Sequence, residues 1–369
     1  MNAKRGAASL LLGILLAACS SASIPPSPTL APEITASPST AAPTSAPTAT
    51  STAAPTTAPT TTSTATPTPT LTATPAAASG EIAFTATVDG VEGIDVIDVA
   101  SGATTRLADG RGPAWSPDGT RIAFGRFSND GGFTLWVMNA DGSGPRSLGS
   151  GLGPVWSPDG TRIAFSTSPI DLGDLWVMNA DGSGRKKLDG GVGRTWSPDG
   201  TRIASVKEDY GGGSGHLVVA RVDGLGTTRL GMGLSPAWSP DGTRIAFVSW
   251  SEQPAIQVVD PATGTVSTIA QPETEVHALA WSPDGTRLSF ITPAGDLLVV
   301  SAQGGEVTTA ATGLSFDAAR SPDGNWFAFT VTDPESPTSD IYLSGTDGSD
   351  RRQLTTSGTA SGPAWRPAP

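Results

Sequence analysis

Along residues 80–369 the hydrophobic positions fall in short runs rich in Ile, Val, Phe and Trp, separated by clusters of Gly, Pro, Asp and Ser. Runs of this kind bounded by turn residues predict β-strands. One run, Pro113-Ala114-Trp115-Ser116-Pro117-Asp118-Gly119-Thr120-Arg121-Ile122-Ala123-Phe124, returns around Trp156, Trp196, Trp238 and Trp281. It is degraded at Arg320-Ser321-Pro322-Asp323-Gly324, and its first half recurs at Pro363-Ala364-Trp365-Arg366-Pro367. Successive anchors lie 41, 40, 42, 43, 39 and 45 residues apart. A period of about 40–45 built from short strands predicts the blades of a β-propeller.

Each repeat reads as four strands. The first ends at the Trp, and Ser-Pro-Asp-Gly follows as a tight turn in which Pro presets φ and Gly takes the left-handed position. Thr-Arg-Ile-Ala-Phe is the second strand. Leu135-Trp136-Val137-Met138 and Leu175-Trp176-Val177-Met178 mark the third, closing on Asp-Gly hairpins at Asp141 and Asp181. The fourth is short and often basic, with Arg106, Arg146, Arg185-Lys186-Lys187, Arg229 and Arg351-Arg352. Cations on an outer strand discourage pairing with a foreign sheet. Sets of second-to-fourth strands begin near Ile82, Ile122, Ile163, Ile203, Ile245, Leu288 and Phe327. First strands end at Trp115, Trp156, Trp196, Trp238, Trp281, Arg320 and Trp365. The expected fold is therefore all-β, a seven-bladed β-propeller closed by pairing of its N- and C-terminal strands.

The repeated run resembles the WD-like repeats of the TolB propeller family, whose hallmark is a Trp-Ser-Pro-Asp-Gly turn followed by an Ile-Ala-Phe strand. The resemblance covers essentially all of residues 80–369. TolB, for which the family is named, looks like a six-bladed propeller behind a separate N-terminal α/β domain, and no such domain is expected here. Its role in linking the cell envelope to peptidoglycan-associated lipoprotein is therefore not carried over. Similar propellers precede serine peptidase domains, and none is expected to follow this one.

Residues 1–19 read as a secretory signal. Lys4 and Arg5 precede an apolar run from Ala7 to Ala18 that is too short to span a bilayer comfortably. Leu16-Ala17-Ala18-Cys19 resembles a bacterial lipobox, which implies lipid attachment at Cys19. Cys19 is the single cysteine, so an internal disulfide is excluded. Residues 20–79 are Pro, Thr, Ser and Ala except at Ile24, Leu30, Glu33, Ile34 and Leu71. So little apolar surface cannot offset the entropy of ordering, and a disordered, semi-stiff linker is expected. The expected organisation is a lipoprotein signal peptide at 1–19, the linker at 20–79 and the propeller at 80–369. The location that follows is extracytoplasmic, on a bacterial membrane anchored through Cys19. A net charge of −12 argues against nucleic acid as a partner.

Candidate chemistry is sparse. The recurring Asp118, Asp159, Asp199, Asp241, Asp284 and Asp323 read as turn residues rather than metal ligands. The repeated Trp residues read as inter-blade core. Arg121, Arg162, Arg202, Arg244 and Arg287 are expected to cover blade surfaces or pair with turn carboxylates, and Arg185-Lys186-Lys187 to be a solvated outer edge. With His216 and His277 as the only histidines and no Gly-x-Ser-x-Gly elbow, neither a nucleophilic triad nor a His/Cys metal site is expected, and no cofactor. His277 is placed to face the central channel, with a satisfied or solvated role preferred.

Function is then expected in what does not repeat. Loops joining second to third strands emerge opposite the repeated turns, and the longest lie at 125–133, 166–173 and 207–215, with 248–254 beside them. They supply Arg126, Phe127, Asp171, Glu208, Asp209, Tyr210 and Trp250 as candidate ligand-binding residues. The first expectation is a non-catalytic module binding an envelope protein, peptide or glycan. The rivals are a carboxylate-based hydrolase or lyase at the channel mouth, and a sensor or assembly subunit of an envelope complex.

Overall fold

A computed structural model of the chain describes residues 78–368 except 129–130, 168–173, 209–214, 250–252, 313–316, 333–335, 337 and 347. The described strands form seven four-stranded antiparallel sheets, and no helix occurs among the described residues. Blade 1 joins Glu81–Val88, Val91–Asp98 and Thr104–Asp109 to the C-terminal strand Ser361–Trp365. Ile82 pairs with Trp365 and Ala83 with Ala364, so the ring closes as expected. Blades 2 to 7 follow at 111–150, 152–189, 192–232, 234–270, 277–311 and 319–353.

The second strands are buried on both faces because each sheet is sandwiched between two others. Arg121–Phe127 and Arg162–Ser166 bury Ile, Ala and Phe in succession. The small Ala on this strand is where the next blade's Trp lies: Ala123 clusters with Trp156, Ala164 with Trp196, Ala204 with Trp238 and Ala246 with Trp281. The six repeated Trp residues are only 7–8% exposed. Five donate their indole N–H to the carbonyl one residue before the anchor of the preceding blade. Trp115 reaches Ala364 at 3.1 Å, Trp156 Ala114 at 3.0 Å, Trp196 Val155 at 3.1 Å, Trp281 Ala237 at 3.0 Å and Trp365 Ala319 at 3.1 Å. Trp238 is the exception, its Nε1 buried without a hydrogen bond.

Of the post-turn arginines, Arg202 pairs with its turn carboxylate, Asp199, at 3.9 Å, as expected, and there is a second contact across the blade boundary. Four of the five lie over the Trp ring of the next blade: Arg121 over Trp156 at 4.7 Å, Arg162 over Trp196 at 5.8 Å, Arg202 over Trp238 at 4.6 Å and Arg244 over Trp281 at 4.7 Å. Arg121 and Arg162 also donate to the next turn's glycine carbonyl, at Gly160 and Gly200. In blade 1 the equivalent position is Glu81, and Arg366 supplies the guanidinium instead, over Trp115 at 5.1 Å and onto the Gly119 carbonyl at 2.8 Å. A cation over a Trp face is attracted by the ring quadrupole, so blades 1 to 6 are tied one to the next.

The outer cations Arg185, Lys186 and Lys187 are exposed, as expected of an outer edge, and two of them also reach across blade boundaries. Arg185 donates to the Leu148 and Ser150 carbonyls of the preceding blade and lies over Phe165, and Lys186 reaches the Asp223 carbonyl of the following one. Arg146 donates to the Asp181 carbonyl at 2.6 Å and Arg352 to that of Val99 at 2.9 Å. Outer carbonyls of adjoining blades need donors, and these side chains provide them.

The turn aspartates are bonded as turn chemistry predicts. The Ser116 hydroxyl donates to Asp118 at 2.5 Å, and the Thr120 amide at 3.0 Å, while Gly119 sits at φ 64°. The serine hydroxyl first, then the threonine amide, lower the carboxyls of Asp118, Asp241 and Asp284 to about 2 from 3.8. A carboxylate whose pKa is depressed by folding stabilises the protein above its unfolded value and stops doing so as pH falls through the folded one. Asp95 opposes this weakly, because burial raises its pKa against the pull of Arg106. The melting temperature should therefore be nearly flat from about pH 7 to 5 and fall between about pH 4 and 2. Asp118→Asn should flatten that fall. An unchanged acid limb in the variant would show that these turns do not set it.

Candidate functional site at the variable-loop face

First strands line the axis, and their inner ends carry a β-bulge. Register shifts between Arg111 and Ala114, Leu152 and Val155, Val192 and Thr195, Leu234 and Ala237, and His277 and Ala280. The bulge places Gly112, Gly153, Gly193 and Gly362 at φ 60–64°, where a side chain is disfavoured. Ser235 and Ala278 hold the same conformation at φ 52° and 51°. In blade 7 the corresponding residue is Asp317, whose carboxylate accepts from the Gly362 amide at 2.9 Å and the Thr330 amide at 3.1 Å. Fourth-to-first links close the rim tightly: a Cβ on Gly110 would lie 2.5 Å from the Phe124 ring.

Arg194 occupies a place where Pro113, Pro154, Pro236 and Pro363 stand in other repeats. Its Nη2 donates to the Gly153 carbonyl at 3.1 Å, while Nε is buried without a partner and burial lowers the guanidinium's pKa. His277 begins the first strand of blade 6, half-buried and paired with Ile291. Arg194 and His277 thus sit on the first strands of blades 4 and 6, and Asp317 lies two residues before that of blade 7.

Of the loop residues expected to bind, Arg126 and Phe127 are described. Asp171, Asp209, Tyr210 and Trp250 lie outside the described residues, as does Cys19, and of Glu208 the backbone alone is described, paired with Gly215. Arg126 donates to the Asp109 carbonyl of blade 1 at 2.9 Å and lies over Trp136 at 4.8 Å, so it joins two blades. Phe127 is 69% exposed and meets Phe133 edge-on at 5.4 Å. Arg111 lies over Phe133 at 5.8 Å and pairs with Glu92 of blade 1 at 3.6 Å. Val88 and Val91, paired across the tip of the blade 1 hairpin, are about half exposed. The loop ends of blades 1 and 2 therefore present Phe127, Val88 and Val91 with an Arg111–Glu92 ion pair among them. Exposed apolar side chains among charges suit recognition of a partner surface. Arg111, Glu92, Val88, Val91, Arg194 and Asp317 were not singled out from the sequence. Arg194 was legible there as an Arg in a proline column.

Among the described residues no three His, Cys, Asp or Glu side chains are grouped so as to hold a metal ion. Asp95, the described carboxyl that burial raises, lies in the third strand of blade 1 beside Arg106 at 3.6 Å rather than at the channel.

Residues 216–368 match the family model of the TolB beta propeller domain. A search of curated proteins gave no match. Among solved structures, TolB from Acinetobacter baumannii is 18% identical, with a TM-score of 0.52 over 77% of this chain and 82% of that one. An oligogalacturonate lyase from Vibrio parahaemolyticus is 13% identical, with a TM-score of 0.54 over 76% of this chain and 87% of that one. The β-propeller domain of the Trilobed protease from Pyrococcus furiosus is 14% identical, with a TM-score of 0.56 over 76% and 93%. That domain is described as having an open velcro topology, whereas here Trp365 pairs with Ile82. At these identities the likeness to the solved structures is one of fold. The closed ring of seven sheets makes the described part of this chain a seven-bladed β-propeller, and its residues 216–368 match the TolB beta propeller domain model.

Proposed function

We propose that the chain is a cell-envelope binding module, lipid-anchored through Cys19, spaced from the membrane by residues 20–79, and engaging a protein, peptide or glycan with the variable-loop face of its 80–369 propeller. The observation that carries this reading is how side chains are allocated between the two faces. On the turn face the repeated Ser, Asp, Thr, Arg and Trp are bonded to one another, as at Ser116, Asp118, Thr120 and Arg121. On the loop face Phe127, Val88 and Val91 remain exposed. The chain also enters the propeller at the turn face, where Arg366 bridges Glu81 and the Gly119 carbonyl. The loop face is the one turned away from that entry.

Cross-linking in intact cells, followed by capture of the full chain, tests the face. Phe127→Ala, Tyr210→Ala and Trp250→Ala should each weaken partner capture, by about thirtyfold or more for an aromatic anchor, with melting temperature nearly unchanged. Asp159→Ala should lower the melting temperature and leave capture intact. Lost capture in a folded Asp159 variant, with normal capture in the loop variants, would move the site to the turn face. Cys19→Ser should abolish lipid labelling and release the protein from membranes or leave it unprocessed. Equal labelling of both proteins would remove the anchor. Turnover of a polysaccharide or peptide by the purified chain would favour the hydrolase or lyase reading instead.

A further inference from the structure

Six of the seven blade boundaries are filled by a Trp ring, and the boundary between blades 6 and 7 is not. There Arg320 replaces the Trp, and the Ala on which that ring would lie is replaced by Ser289. Two columns of the repeat change together at one boundary. Arg320 turns back on its own turn, donating from Nε and Nη2 to the Gly324 carbonyl at 3.0 and 2.8 Å. Gly324 is the carbonyl that Arg287 would take by analogy with Arg121 on Gly160 and Arg162 on Gly200. Arg287 thus loses both the ring it would stack on and its acceptor. It is exposed where Arg121, Arg162, Arg202 and Arg244 are half-buried, and among the described residues its guanidinium makes no hydrogen bond.

What remains in the vacated slot is a cavity of about 50 Å³ between Arg287, Leu288, Ser289, Val299, Arg320 and Phe327. Two guanidiniums reach one small space walled by Leu288, Val299 and Phe327 together with Ser282, Ser289 and Thr346. Burial lowers the pKa of Arg320, the nearby charge of Arg287 adds to this, and Asp284 and Asp323 oppose it. The neighbouring carboxylates are already engaged in their own turns, Asp284 by Ser282 and Thr286, Asp323 by Ser321 and Asn325. An anion would relieve the repulsion and supply the acceptor that Arg287 lacks. The cavity is of carboxylate size, and Arg matches a carboxylate's two oxygens with paired N–H donors.

We propose that the blade 6–blade 7 boundary is a binding site for the carboxylate of a small organic acid, held by Arg287 and Arg320. It lies on the turn face and is independent of binding at the loops. Acetate is the probe, compared with chloride at equal ionic strength on the purified full chain. Acetate should raise the melting temperature saturably and chloride should not. Arg287→Gln, which removes the charge facing Arg320, should not lower the basal melting temperature and should weaken acetate binding by about tenfold or more in calorimetric titration. Arg320→Trp should restore the ladder, raise the basal melting temperature and abolish the acetate response. Equal responses to acetate and chloride, an Arg287→Gln variant that binds acetate like the parent, or an Arg320→Trp variant that still responds would each overturn the site.

Discussion

Deleting residues 363–369 should lower the melting temperature by roughly 6–20 °C, because the C-terminal strand completes blade 1 and seals two blade boundaries. Trp365 is 7% exposed and clusters with Ile82, Phe84, Trp326 and Ala328. Truncating a buried Trp costs about 3–5 kcal/mol, and each kcal/mol shifts the melting temperature of a large domain by about 2–4 °C. The deletion also removes the Ala364 carbonyl that accepts from Trp115, and the Arg366 guanidinium over the Trp115 ring. The second strand of blade 1 would become an open edge. Removing residues 368–369 alone should be nearly silent, since the strand ends at Trp365. Differential scanning calorimetry of both truncations decides the matter. A melting temperature for the longer deletion within about 2 °C of the full chain would mean that closure contributes little.

Blade count and closure were legible because both are properties of one repeat. Trp-Ser-Pro-Asp-Gly and Ile-Ala-Phe mark a turn and a strand wherever they stand, and a first strand left over at Pro363-Ala364-Trp365 has one place to go. The roles of Arg121 and Arg162 were not legible, since each acts on the following blade and nothing local to the repeat shows its partner. The same holds for Arg185 and Arg352, which serve carbonyls of adjoining outer strands. Variable loops pointed to a face, and at Phe127 that face is indeed exposed. Arg126, from the same loop, also holds two blades together. Arg194 and the Arg320–Ser289 pair needed a different question, which column of the repeat is broken and what fills the space it leaves.

Trp156→Ala should cost about 3–5 kcal/mol, because it leaves three groups without their partner at once. The ring fills the boundary between Ala123 and Leu135 of blade 2 and Ile163 of blade 3. Its N–H satisfies the Ala114 carbonyl at 3.0 Å, and its face carries the Arg121 guanidinium at 4.7 Å. Trp156→Phe should recover much of the burial but neither the hydrogen bond nor the full attraction for Arg121, and so should fall between the two. A double-mutant cycle with Arg121→Ala isolates the stacking, for which a coupling of about 0.5–1 kcal/mol is expected at this partly exposed site. Chemical denaturation supplies all four stabilities, and Phe127→Ala, at an exposed ring, provides the scale of a surface change. The chain would have to be held together by its strands alone if Trp156→Ala cost no more than Phe127→Ala. A Trp156→Ala cost of several kcal/mol with zero coupling to Arg121 would instead assign the boundary to apolar burial and leave the cation a bystander.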